Sequence, residues 1–243
     1  MSDKLSDFIV QGALGVLILF SVATWATVAV KWLEGFRARG QDARFREALG
    51  KSTGLPTSEF LQNKVGPTAR VAAAGVTAWE SNGAGASAEN VGVPREILEL
   101  SLRRQIQKER HTTENGLAVL ASIGTTSPFI GLFGTVWGIL HALKSISTAG
   151  NASLDVVAGP IGEALIATGS GIAVAVPAVL AYNYFVRKLK VQAAELEDFA
   201  NSIVASALEG SLANTKPRST SGEHSIHQIA EARGSSPLRE ARV

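Results

Sequence analysis

The sequence predicts an all-α membrane protein, with three transmembrane helices and long helical extensions into the cytoplasm. Two observations predict it. Three stretches stay apolar and nearly charge-free for longer than the core helices of soluble proteins do, and the basic residues gather on one side of them. Average composition, 46% apolar and 18% charged, conceals this unevenness.

Residues 8–30 contain 23 positions without Asp, Glu, Lys or Arg, and residues 115–143 contain 29 more. From 145 to 186 only Asp155 and Glu163 interrupt the apolar run. A helix rises about 1.5 Å per residue, so about 20 apolar residues cross the hydrocarbon layer. The predicted spans are 8–31, 117–141 and 162–186. Thirteen Lys and Arg lie between Lys31 and Gly116, eight follow the third span, and one, Lys144, lies in the 142–161 connection. The positive-inside rule places 32–116 and the C-terminal part in the cytoplasm, and the 1–7 tail and 142–161 outside. Asp3 and Asp7 give the first span an acidic flank, so it is read as a retained anchor rather than a cleaved signal.

The first span is expected to continue as a helix through 31–49, where Phe36, Phe45 and Leu49 sit among charges. Gly54, Pro56, Gly66 and Pro67 then break the chain. A short apolar helix is expected around 71–79 and a loop over the Gly/Ala/Ser-rich 82–92. Pro94 opens an amphipathic helix carrying Ile97, Leu98, Leu102 and Ile106 beside Arg103, Arg104 and Lys108. After the third span, Leu189, Leu196 and Ile203 recur every seven residues with Phe199 between them. This stripe predicts a cytoplasmic helix over 187–210, stopping at Gly210 and packed on a neighbouring helix. A three-span chain offers itself few contacts, so the stripes predict an oligomer. The 211–243 tail is rich in Ser, Arg, Gly and Pro and is expected to be disordered.

Several classes of chemistry are excluded. There is no cysteine, hence no disulfide or thiolate. The net charge of +2 reflects topogenic Lys and Arg and gives no reason to propose nucleic-acid binding. Gly50-Lys51-Ser52 ends like a phosphate-binding loop, but Phe45 stands where its first glycine belongs. Thr168-Gly169-Ser170-Gly171 lacks the leading glycine of an intramembrane serine nucleophile, and no histidine lies deep in a span. His224 and His227 are three apart in the tail and do not make a metal site. The expected protein is not an enzyme and uses no cofactor or metal. Arg37, Arg44, Arg187 and Lys188 near the cytoplasmic boundary fit a topogenic role or contact with anionic membrane lipids.

The unusual residues sit in spans two and three. Gly131, Gly134 and Gly138 are assigned to close helix packing. Pro128 and Pro177 shape their helices, the first with an expected kink. Thr125, Thr126 and Ser127 fit either bonding to backbone or lining a pathway. Glu163 follows Gly159, Pro160 and Gly162 and opens an apolar run. Three roles fit it: a helix-start acid at the interface, a partner for a basic residue on another chain, or a group on an ion pathway. Burial in the third role would raise its pKa and let it carry a proton near neutral pH. On a helix Ser170 lies within about 20° of the Glu163 face, whereas Thr168 lies about 140° away. Ser170 is therefore a candidate pore-lining hydroxyl.

The run Ser127-Pro128-Phe129-Ile130-Gly131-Leu132-Phe133-Gly134-Thr135-Val136-Trp137-Gly138-Ile139 resembles the second-span signature of the ExbB/TolQ family. Gly162-Glu163-Ala164-Leu165-Ile166-Ala167-Thr168, with Val176-Pro177-Ala178-Val179 and Tyr182-Asn183, resembles its third-span signature. The sequence departs from the family at Gly169-Ser170-Gly171, where the pattern is Ala, a large aliphatic residue and Gly. The resemblance implies a homopentamer in the inner membrane of Gram-negative bacteria, N-terminus periplasmic, enclosing the helices of an ExbD dimer. It implies a proton-driven motor acting on TonB, which powers import of iron-siderophores and vitamin B12. It implies that Glu163, Thr135 and Thr168 line the pore. The alternatives are a TolQ-type subunit of the envelope-constriction system, or a non-conducting scaffold for TonB in which Glu163 is a salt-bridge or capping residue.

Overall fold

The computed structural model describes residues 2–50, 55–83, 90–149 and 154–215. Among these the chain is all helix: α1 (Ser2–Leu49), α2 (Ser58–Leu61), α3 (Pro67–Asn82), α4 (Gly92–Glu114), α5 (Leu117–Ala149) and α6 (Leu154–Thr215). Three of them, α1, α5 and α6, are long and apolar enough to cross a membrane. Each also runs well beyond the length a bilayer needs.

The antiparallel pair α5 and α6 forms the centre of the apolar bundle, with α1 against α5 and, further along, against α6. Small residues make the α5–α6 contact. A Cβ on Gly131 would lie 2.7 Å from the Ala167 carbonyl oxygen, and one on Gly171 would lie 2.7 Å from that of Ser127. Gly138 faces Ala164, Gly134 faces Ala167 and Gly124 faces Val179 in the same way. In lipid there is no hydrophobic drive between helices, so contact area from close backbone approach is what holds them. The outer faces remain apolar and open, as at Phe129, Leu165 and Leu180.

Beyond the spans, the extensions of α1 and α6 clasp the smaller helices. Phe45 of α1, Val71, Ala72 and Val76 of α3, Leu98, Leu102 and Ile106 of α4, and Leu196, Ala200 and Ile203 of α6 form one buried cluster. The heptad stripe of α6 is thus covered by the chain's own α3 and α4. The stripe therefore does not call for a second subunit, contrary to the sequence expectation: α3 and α4 fold back onto it and supply the contacts. Gly210 does not end α6, which continues to Thr215. A Cβ at Gly210 would meet nothing within 4 Å, so the glycine sits on an open face where the helix tolerates it. The expected tail from 216 onward, and 84–89 of the expected loop, lie outside the described residues.

Two backbone features set the joints. Gly66 has φ +129° and precedes Pro67 at the first position of α3. A Cβ there would also strike Asp42, whose Oδ1 accepts a hydrogen bond from the Thr68 backbone N–H at 3.0 Å. An α1 side chain therefore caps α3, whose first N–H groups have no partner within the helix. Gly116, with φ +86°, joins α4 to α5 beside Thr27 and Lys31 of α1. The left-handed region is open to glycine at little cost.

Candidate functional site

Glu163 lies in α6 beside Ala164, which packs on α5. The α5-facing residues of α6, Ala164, Ala167, Gly171, Ala175 and Ala178, fall on one helical stripe. At about 100° per residue, Glu163 sits on one flank of that stripe and Thr168 on the other. The two side chains are thus held on opposite sides of the α5–α6 seam. Glu163 is exposed, next to Leu165 and Ile166, which are 63% and 60% exposed. It has no hydrogen-bond or ion-pair partner among the described residues.

Thr168 is half-buried and its hydroxyl donates to the Gly131 carbonyl of α5 at 3.3 Å. The neighbour helix that its angular position requires is α5, and the missing side chain of Gly131 is what lets the hydroxyl approach. Thr135 is buried at 8% exposure and donates to the Leu132 carbonyl at 2.7 Å. It stands beside Gly134, where α5 meets Ala167. Ser170 is half-buried, on the Glu163 side of α6, with no hydrogen bond among the described residues.

Thr125, Thr126 and Ser127 of α5 each bond to their own helix. Thr125 donates to Ala121, Thr126 to Ser122 at 2.7 Å and Ser127 to Ile123 at 2.6 Å. Ser127 is fully buried and Thr125 and Thr126 are exposed. Helix α5 is continuous through Pro128, and α6 through Pro160 and Pro177. The sequence pattern assigns Gly131, Gly134 and Gly138 to packing, and Gly124 and Gly171 lie in the same seam. The signal was present: small residues every three or four positions run from Gly124 through Ser127 to Gly138. Gly169, by contrast, faces open space.

No group of three or more potential metal-binding side chains occurs among the described residues. What the arrangement offers is a carboxylate on the outer face of an apolar helix pair, with threonine hydroxyls fixed along the seam behind it.

Residues 63–198 match the model of the MotA/TolQ/ExbB proton channel family. The chain is 35% identical over 201 residues to the biopolymer transport protein ExbB of Neisseria meningitidis, covering 81% of this chain and 91% of that one. It is 33% identical over 214 residues to the ExbB of Xanthomonas campestris pv. campestris, covering 84% and 83%. It is 33% identical over 202 residues to the ExbB of Salmonella typhimurium, covering 82% of each. The alignment spans both glycine-lined helices, α5 and the apolar part of α6, and the chain belongs to the MotA/TolQ/ExbB proton channel family.

Proposed function

We propose that this chain is an ExbB-type subunit of an inner-membrane motor that uses the proton-motive force to energise TonB-dependent import across the outer membrane. One observation carries the reading: Glu163 is an exposed carboxylate, without a partner among the described residues, on a helix built to lie in lipid. An ionised carboxylate facing hydrocarbon is costly, so its side of α6 must meet another protein chain or a hydrated lumen. The exposed apolar faces of α5 and α6 supply surface for copies of this chain to close a ring around such a lumen. In this reading five copies enclose two ExbD helices, and protons pass between Glu163 and an acid on the enclosed partner.

Ser170, on the same side of α6, acts beside it, and Thr135 and Thr168 are polar positions in the seam behind it. Proton arrival changes the charge facing the partner helices, and with it the contacts they prefer. The chain binds no cofactor and catalyses no covalent reaction. The relatives described above carry the ExbB name, which favours this role over the TolQ role. The N-terminus is periplasmic and the C-terminus cytoplasmic, from the distribution of Lys and Arg.

The test is Glu163→Gln, which keeps size and polarity but cannot ionise. Energised siderophore uptake should fall to background while the extracted complex keeps its mass and bound partner. Normal uptake would remove Glu163 from the proton path and favour a scaffold. A complex that fell apart would make the residue structural.

A further inference from the structure

Just past the predicted end of the third span, Lys188 of α6 lies between α6 and α1. Its ammonium lies directly against the backbone of Gly35 in α1, close enough that a Cβ at Gly35 would collide with Nζ. Two open crevices, each of about 320 Å³, flank this contact and share Gly35, Ala38, Lys188 and Gln192. Most charges lining them are satisfied within the chain. Lys31 pairs with Glu34 at 2.9 Å, Arg70 with Glu109 at 2.6 Å and Arg46 with Glu195 at 3.2 Å. Asp42 is engaged by the Thr68 N–H. Arg39 and Lys188 remain: two cations lining one crevice, neither with an ion pair among the described residues.

We propose that this α1–α6 crevice binds the phosphate of an anionic membrane lipid headgroup through Lys188 and Arg39. Three features favour a lipid over a soluble anion. Lys188 is two residues beyond the third span, about 3 Å further along the axis, which is the depth of the headgroup layer. Trp32, Leu33 and Phe36, on α1 around Gly35, are exposed apolar side chains at that level, suited to the upper acyl chain. The cytoplasmic leaflet carries the anionic lipids, and each nearby cation adds to their attraction. Gly35 has a defined part: it leaves the space in which the Lys188 ammonium rests.

The experiment uses the full-length protein extracted in detergent in its native oligomeric form. Retained lipid is counted by native mass spectrometry during titration with phosphatidylglycerol or phosphatidylcholine. Wild type should retain phosphatidylglycerol preferentially. The Lys188→Gln/Arg39→Gln variant should lose on the order of tenfold in apparent affinity. Arg187→Gln, which removes an exposed charge at the same boundary, should change it little. Lys188→Arg should keep binding and shows that the site tolerates replacement when charge is retained. Equal binding by the double variant would overturn the proposal, as would an equal loss in Arg187→Gln, which would mean diffuse boundary charge. Displacement of phosphatidylglycerol by millimolar inorganic phosphate would overturn the lipid assignment and leave a free-anion site.

Discussion

Glu109 is a carboxylate taken out of water by the core beyond the spans, 9% exposed, and its oxygens are nonetheless well used. Arg70 reaches it from α3 in a bidentate pair, with Nε at 2.7 Å and a terminal nitrogen at 2.6 Å, and Gln105 adds a third bond at 2.7 Å. Planar, charge-assisted pairs of this kind are stronger than neutral hydrogen bonds. Removing one partner leaves the other unsatisfied, which is worse than never having buried the pair. Arg70→Ala is therefore expected to lower stability by about 1–3 kcal/mol, read as a drop in the midpoint of urea unfolding. Arg70 is half exposed, which argues for the lower end. The hydrogen bonds that Arg70 donates to Glu109, against a smaller opposing effect of burial, hold the Arg70 pKa above its ordinary value. A raised folded pKa gives stability that is complete below the unfolded pKa and is lost as pH rises from there through the folded one. Raising pH through the ordinary alkaline range should thus leave the unfolding contribution of this pair unchanged. Nothing in the sequence points to the pair, since its members are 39 residues apart on different helices.

At the scale of elements, the α5–α6 seam makes a sharper distinction than the sequence pattern does. Gly169 and Gly171 are equivalent to composition and nearly adjacent in sequence, but one faces open space and the other the α5 backbone. Ala at 171 would place its Cβ 2.7 Å from the Ser127 carbonyl and force the helices apart. Ala at 169 fills nothing and improves helix propensity by up to about 1 kcal/mol. Gly171→Ala is expected to lower the thermal midpoint of the detergent-solubilised protein by a shift equivalent to about 1–3 kcal/mol. Gly169→Ala should leave it unchanged or raise it. Equal losses in the two would mean that glycine flexibility, and not close approach, is what α6 needs there. The three spans were legible because twenty-odd apolar residues admit few alternatives. The face each glycine presents was less so, because that depends on which helix comes alongside. Thr168 shows the same limit: its angle from Glu163 followed from helix geometry, whereas its bond to Gly131 required the antiparallel pairing of α5 and α6.

For the whole molecule, the question is which surfaces belong to the chain and which await others. The regular spacing of Leu189, Leu196 and Ile203 reads in sequence as an interface, because heptads are how helices from separate chains meet. Spacing records that a stripe is covered and is silent about what covers it. Here α3 and α4 do, and Ile203 is buried at 4% exposure among Phe45, Val76 and Leu102 of the same cluster. The surfaces left open are the apolar outer faces of the spans and the one that carries Glu163. Damage to the two kinds of surface should therefore have different consequences. Ile203→Ala removes buried methyl groups from an internal core and is expected to cost about 2–4 kcal/mol. Its signature should be faster proteolysis in the 55–83 and 90–114 region, with the subunit number of the extracted complex unchanged. A complex that lost subunits while α3 and α4 stayed protected would place Ile203 at an interface between chains and restore the heptad reading. The expected result instead confines assembly to the membrane faces, so that α3 and α4 move as one body with α1 and α6 of their own chain. Any displacement of those two helices at the level of Glu163 would then reach α3 and α4 through continuous helix.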